Sequence, residues 1–246
     1  DQDKPFFAYI ATNTPHGPLY PKQEDYEVLE KLFDKSKFAN RKGFKSVLVK
    51  YLAMIRNIDS NVGDLVNFLE TKGVIDDTII IFLTDNGSTM GKSYFNAGMR
   101  GMKTELWEGG HRVPLFIKWK NGNFKEVGNE VEGLCRVTDI VPTLVELCGL
   151  KISNRSSLKG MSLAPILKGK KEISKERKLI INYSRMPNFI SYPIPHGQTI
   201  LKKEGAVVLW KNWRLLESRE LYNLENDPRQ QLNVYDENPG IVQILE

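Results

Sequence analysis

Two hydrophobic periods share this chain. Apolar runs at residues 6–11, 78–83 and 113–119 are short, nearly continuous and bounded by turn residues, which predicts strands buried on both faces, as in a parallel sheet. From residue 44 to 72 the period changes. Leu48, Tyr51, Leu52, Ile55, Ile58, Val62, Leu65, Val66 and Leu69 recur at three- and four-residue steps, one stripe of a helix able to cover a sheet. Such a helix runs ~40 Å at 1.5 Å per residue. Gly73 follows it, where a left-handed residue costs least. Another helix is predicted from about Asp139, with Thr138 or Asp139 as its cap and Pro142 in its first turn.

Strands alternating with helices predict an α/β fold: a layered, mainly parallel sheet with flanking helices, and a ligand site at the C-terminal ends of the strands. Beyond Gly169 a basic linker leads into short alternating segments at 206–210, 213–217 and 221–224, read as a small antiparallel subdomain. The predicted division is therefore residues 1–169 and 170–246. Trp210 and Trp213 are read as packing residues, as large aromatics usually are.

Three loops carry candidate chemistry. Thr84-Asp85-Asn86-Gly87 ends the second apolar run with a carboxylate beside a carboxamide, two hard oxygen donors suited to Ca²⁺ or Mg²⁺. The same string is also a common turn. Between Gly98 and Pro114, closely spaced glycines accompany Lys103, whose compact ammonium can meet an oxyanion. Thr14-Pro15-His16-Gly17-Pro18 holds an imidazole in a stiff frame just past the first run, able to bond an anion or move a proton near neutral pH. Each loop, taken singly, also fits a plain surface turn.

Taken in order, these segments resemble the sulfatase family, the metal-dependent sulfate-ester hydrolases related to alkaline phosphatases. The resemblance extends to Thr138-Asp139-Ile140-Val141-Pro142-Thr143-Leu144, to Gly160-Met161-Ser162-Leu163 and to Glu220-Leu221-Tyr222-Asn223-Leu224-Glu225-Asn226-Asp227-Pro228. It implies Asp85 and Asn86 as ligands of Ca²⁺, with Mg²⁺ the alternative. It implies His16 and Lys103 as sulfate contacts, either able to serve the leaving oxygen. His196, in the proline-rich loop 182–198 with Arg185, is a candidate substrate contact by the same resemblance.

The departure is as informative. Members of that family use a C-x-P-S-R type motif whose cysteine or serine becomes formylglycine. Here Cys135 is followed by Arg136-Val137 and Cys148 by Gly149-Leu150, so neither fits. The expectation is a C-terminal portion of a sulfatase, its sheet partial and its nucleophile elsewhere, inactive alone and prone to self-association through an exposed sheet edge. A phosphoester or phosphonate hydrolase of the same superfamily, or a noncatalytic binding module, are the alternatives. The resemblance implies sulfated small molecules or carbohydrates as substrates and a periplasmic, secreted or lysosomal setting.

Composition narrows the rest. With 246 residues and 41% hydrophobic content the chain can bury a sizeable core. No run approaches the ~20 apolar residues of a membrane span. The net charge of +5 comes from lysine clusters at 35–50 and 168–178, read as solvated faces because the aromatic interleaving of a nucleic-acid site is missing. Cys135 and Cys148, flanking the predicted helix, are read as buried thiols.

Overall fold

The long apolar stripe becomes one helix, and in the computed structural model it runs from Lys45 to Thr71 (α2), preceded by α1 at Gln23–Phe33. The structure describes residues 4–40, 42–90, 94–125, 128, 130–182, 203 and 205–246. It forms two compact units, Asp1–Ile75 and Asp76–Glu246, so the division predicted at 169/170 lies inside the second.

In the first unit α1 packs on α2. Phe33 of α1 and Leu48, Val49, Ala53 and Met54 of α2 are buried. Asp25, almost fully buried on α1, accepts hydrogen bonds from Arg56 and, at 3.3 Å, from Asn57 of α2. Lys45 adds an ion pair with Asp34 at 2.7 Å. Gly73 takes a left-handed φ of 68° just past α2, as the pattern predicted. Residues 6–11 differ from expectation. They are exposed and belong to no strand, because no strand among the described residues offers hydrogen-bonding partners to that backbone.

The second unit opens with β1 (Ile80–Leu83). After a single helical turn, α3 (Glu108–His111), comes β2 (Leu115–Lys118). Both strands fall inside the predicted runs, yet they pair antiparallel, Ile80 opposite Lys118 and Leu83 opposite Leu115, where parallel neighbours were expected. The connecting segment supplies the reason. Gly87 N–H donates to the Gly110 carbonyl at 3.0 Å, so the chain folds back at the tip of β1 and re-enters from that same end. The sheet is also more open than its apolar runs suggested: Phe82 and Phe116, directly opposed with ring centroids 6.4 Å apart, are both exposed.

The helix predicted near Asp139 is α4 (Ile140–Leu147), entered through a 3₁₀ turn, Val137–Asp139, with Pro142 in its first turn. Asp139 does more than cap. Its fully buried carboxylate accepts Arg136 N–H at 2.9 Å, Met161 N–H at 2.9 Å, and two bonds from the Arg177 guanidinium at 2.9 and 2.8 Å. Thr143 Oγ1 takes Leu163 N–H at 2.8 Å, which seats the segment before α5 (Ala164–Leu167) on α4. Gly160 must be glycine there, since a Cβ would lie 2.0 Å from the Thr138 carbonyl oxygen. Two of the sequence signatures are thus halves of one packing joint. Cys135 and Cys148 are free but exposed rather than buried, because α4 turns Thr143, Val145 and Leu147 inward and leaves Cys148 past its last turn.

The C-terminal segments form the expected antiparallel sheet: β3 (Lys178–Asn182), β4 (Ala206–Trp210), β5 (Trp213–Leu216) and β6 (Glu220–Asn223), paired in that order. Period-two alternation sorts β4. Val207 and Leu209 face a cluster with Leu106, Leu179, Leu216 and Tyr222, while Trp210 faces one with Leu215, Leu221, Val242 and Leu245. The last helix, α6 (Pro239–Leu245), covers the second face. Among the described residues no helix is long and apolar enough to cross a membrane.

The Asp139 joint makes a measurable prediction. Asp139→Ala strands the largely buried Arg177 charge and two backbone donors, and should cost about 3–5 kcal/mol of unfolding free energy by urea titration. A loss under 1 kcal/mol would remove this joint from the core.

Candidate functional site

The site begins at the tip of β1, where the chain leaves Leu83 through Thr84, Asp85, Asn86 and Gly87. Asp85 is exposed and Asn86 half-buried. The Asn86 amide donates to Asp85 Oδ2 at 2.6 Å, which holds the two side chains side by side with oxygen lone pairs to spare. In kind these donors suit a hard cation; in number they fill only part of a coordination shell of six to eight oxygens. Among the described residues no group of three or more His, Cys, Asp or Glu side chains could hold a metal.

Gly87 is fixed by what it touches. A Cβ there would sit 1.8 Å from the Gly109 carbonyl oxygen, so the turn lies backbone to backbone against α3. The other side of the same glycine pair carries the lysine turn. Glu105 N–H donates to the Met102 carbonyl at 3.0 Å, closing a turn over Lys103 and Thr104, with Thr104 at a φ of 78°. A Cβ on Gly110 would fall 2.0 Å from the Glu105 carbonyl oxygen and 2.8 Å from that of Met102. Asn96 ties the loop inward by donating to the Gly101 carbonyl at 2.7 Å, and Gly109 N–H donates to the Arg100 carbonyl at 2.8 Å. The Asp85–Asn86 turn and the half-buried Lys103 are therefore both mounted on Gly109–Gly110.

Sequence reasoning missed what fastens that glycine pair. Glu108, 2% exposed, receives Arg214 Nε of β5 at 2.7 Å on Oε1, and its own backbone N–H donates to Gln230 Oε1 at 2.9 Å. Arg214 is capped by the Lys211 and Trp213 carbonyls at 2.9 Å each. Arg100 lies 4.0 Å over the Trp107 ring and donates to the Gln230 carbonyl at 2.7 Å and to Tyr222 Oη at 3.1 Å. Gln230 is fully buried at a left-handed φ of 52°. A signal was present: Arg214 interrupts the apolar run Trp213-Leu215-Leu216, and a charge inside such a run needs a buried partner.

His111 closes the cluster. Burial pushes its pKa below the usual 6.5, opposed by the Glu108 carboxylate and reinforced by Arg214, so the neutral ring donates from Nε2 to the Leu106 carbonyl at 3.1 Å. His16 lies in the first unit. Its ring is exposed, with Nδ1 2.8 Å from the Gly17 carbonyl, and its N–H donates to the Asn13 carbonyl at 2.9 Å. His196 and Arg185 lie outside the described residues.

With that geometry in hand, comparison with known proteins is decisive. The family profile described as Sulfatase matches residues 1–150, more than half of the chain.

The chain belongs to the sulfatase family.

A second profile, N-sulphoglucosamine sulphohydrolase, C-terminal, matches residues 102–245 and so spans α3 through α6. A sulfatase of Formosa agariphila is 27% identical over 97% of this chain and 43% of its own length. Human arylsulfatase A is 30% identical over 68% of this chain and 30% of its own. This sulfatase chain thus spans less than half the length of either relative. Among solved structures, that of Ps i-CgsB, also determined with k-i-k-neocarrahexaose, superposes with a TM-score of 0.77 at 25% identity, over 99% of this chain and 49% of that one. The phosphonate monoester hydrolase of Agrobacterium radiobacter shares the fold at a TM-score of 0.58, with 22% identity over 81% of this chain and 40% of its own.

Two outcomes follow from this geometry. Because folded His111 resists a proton that the unfolded chain accepts, its contribution to stability is complete above pH 6.5 and falls away as pH drops from 6.5 toward the lowered folded value. His111→Gln, whose amide can still reach the Leu106 carbonyl, should flatten that acid-side slope in thermal melts; an unchanged slope would place its origin elsewhere. Gly110→Ala meets backbone oxygens and should cost about 1–3 kcal/mol. Gly63→Ala, in open space on α2, should leave stability level or raise it by up to ~1 kcal/mol.

Proposed function

We propose that this chain is the part of a sulfuric ester hydrolase that supplies two of its cation ligands and two of its sulfate contacts. The observation that carries the reading is the mounting of Asp85–Asn86 and Lys103 on one glycine pair, which puts anionic oxygens and an ammonium on a single rigid support. That is the charge arrangement a sulfate ester needs: oxygen donors for a hard cation, and a cation of the protein's own for a tetrahedral anion. A hydrated formylglycine and a bound Ca²⁺, with Mg²⁺ as substitute, would supply the nucleophile and the Lewis acidity.

The chain's own residues have separable tasks in this reading. Asp85 and Asn86 hold the cation with one charged and one neutral oxygen. Lys103 neutralises charge on a sulfate oxygen, where an ammonium placed against developing charge acts most strongly. His16 bonds the sulfate group and can hand a proton to the departing oxygen. His196 is assigned to the substrate side. The substrate class we favour is a sulfated carbohydrate: two structural neighbours were solved with saccharides, one with k-i-k-neocarrahexaose and one with D-glucosamine-2-N,6-O-disulfate. The periplasm, the lysosome or the extracellular space is the setting we assign to it. A second reading, hydrolysis of phosphonate or phosphate esters, draws on the likeness to the phosphonate monoester hydrolase.

By itself the chain is proposed to be inactive, since neither Cys135 nor Cys148 stands in a formylglycine motif. The outer edges of β1 and β2, which pair with no further strand among the described residues, are the surface through which it would self-associate. The purified chain with an aryl sulfate and Ca²⁺ should release no phenol above buffer, and sustained release from a homogeneous sample would overturn the inactivity. In a polypeptide that also carries the nucleophile, Lys103→Ala should lower turnover about 10²–10³-fold on a sulfate ester. Near-normal turnover would take Lys103 out of the reaction, and faster turnover of an aryl phosphonate than of the sulfate would favour the second reading.

A further inference from the structure

We infer that the buried Glu108–Arg214 pair, seated on Gln230, is a positioning device that sets Lys103 for anion binding, which makes the C-terminal sheet a working part of the sulfate site. The inference rests on the reading of Lys103 as a sulfate contact and adds to it the residues through which that ammonium is aimed.

The physical chain is short. Arg214 stands on β5, in the middle of the four-stranded sheet, with neighbours β4 and β6 on either side. Arg214 is 5% exposed and its guanidinium is bonded to the Lys211 and Trp213 carbonyls, which leaves Nε to hold Glu108 Oε1 at 2.7 Å. Glu108 is the first residue of α3, and the next two are the glycines that carry the Lys103 turn. No side chain buffers that contact. Because Gly110 meets the Glu105 and Met102 carbonyls with backbone alone, a shift of α3 passes directly to the turn holding Lys103.

Gln230 and Arg100 fix the remaining freedom. Gln230 presents its side-chain oxygen to Glu108 N–H and its backbone oxygen to Arg100, 2.9 and 2.7 Å away. Arg100 lies against Trp107 and Tyr222, and its own carbonyl holds Gly109 N–H at 2.8 Å. The loop bearing Lys103 is therefore clamped to the sheet at Arg100 and at Glu108, on either side of the turn. Lys103 is half-buried, and the clamp fixes where its backbone stands and so from where its side chain reaches out. Leu106 and Trp107 add apolar attachment to the sheet but cannot set an angle as a charge-assisted hydrogen bond does.

A buried pair of this kind also separates fold from position in an experiment. Removing one partner strands a charge, whereas replacing both by neutral groups of similar size is often neutral or stabilising. The test uses the full chain with ¹³C-dimethylated lysines, the Lys103 signal assigned through Lys103→Arg, and inorganic sulfate as the probe. In the unsubstituted chain the Lys103 signal should stand apart from those of surface lysines and move on sulfate addition. Glu108→Gln should weaken that sulfate response about tenfold and lower the melting temperature. The double variant Glu108→Gln with Arg214→Met should regain most of the melting temperature without regaining the response.

A double variant that responds to sulfate like the unsubstituted chain would overturn the positioning role. A Glu108→Gln protein too unstable to measure would leave the double variant, judged by its retained sheet amide protection, to decide. No sulfate response in the unsubstituted chain would overturn the underlying assignment of Lys103, and the positioning role with it.

Discussion

Backbone contact at Gly109–Gly110 is the constraint on which the site depends. On one side the Gly87 turn rests against it; on the other, the Met102–Glu105 turn. Glycine is needed because carbonyl oxygens occupy the places where Cβ atoms would be, not because the chain must bend there. Contact of this kind is stiff. Side chains between two backbones can change rotamer and absorb a displacement, whereas carbonyls resting on Cα atoms cannot, so the carboxylate–carboxamide turn and the lysine turn share one position and orientation.

That support is placed by electrostatics as well as by packing. Desolvating Glu108 and Arg214 is expensive; their attraction offsets it with help from the Lys211 and Trp213 carbonyls on the guanidinium, while Gln230 takes the Glu108 backbone N–H. The Asp139–Arg177 pair follows the same logic, joining the start of α4 to the segments before α5 and β3. Both joints link residues far apart in sequence, and both put a buried carboxylate at a helical start with backbone N–H groups nearby. Within the family signatures, Asp139 and Gly160 have residue types that this second joint requires, a buried carboxylate and a position with no room for a Cβ.

Elements whose determinants are local are legible in the sequence. The α2 stripe and its glycine stop, the α4 start with Pro142, and the strands around 206–210, 213–216 and 220–223 follow from period and turn chemistry within a few residues. Asp85, Asn86 and Lys103 were legible as candidates because their loops combine glycine with charge, a combination that ordinary helices and strands avoid. Pairing was not legible in that way. Residues 6–11 and β1 have equally apolar runs, yet the first lies exposed and the second pairs antiparallel, since a strand's fate depends on which backbone reaches its edge. The cysteines misled for a related reason: Cys148 sits one residue past an amphipathic helix, where a small change of phase turns a side chain outward.

By itself, then, the sequence determined the class of fold, the positions of α2, α4, β1, β2, β4, β5 and β6, and the family to which its ordered motifs belong, because these depend on local periodicity and on residue types at fixed spacing. Tertiary structure alone decided that Arg214 of the C-terminal sheet grips Glu108, that Gly110 carries the lysine turn, and that β1 and β2 run antiparallel. Those facts come from contacts between segments tens of residues apart. They are set by which desolvated charges and backbone groups find partners when the chain closes on itself, information that no local window contains.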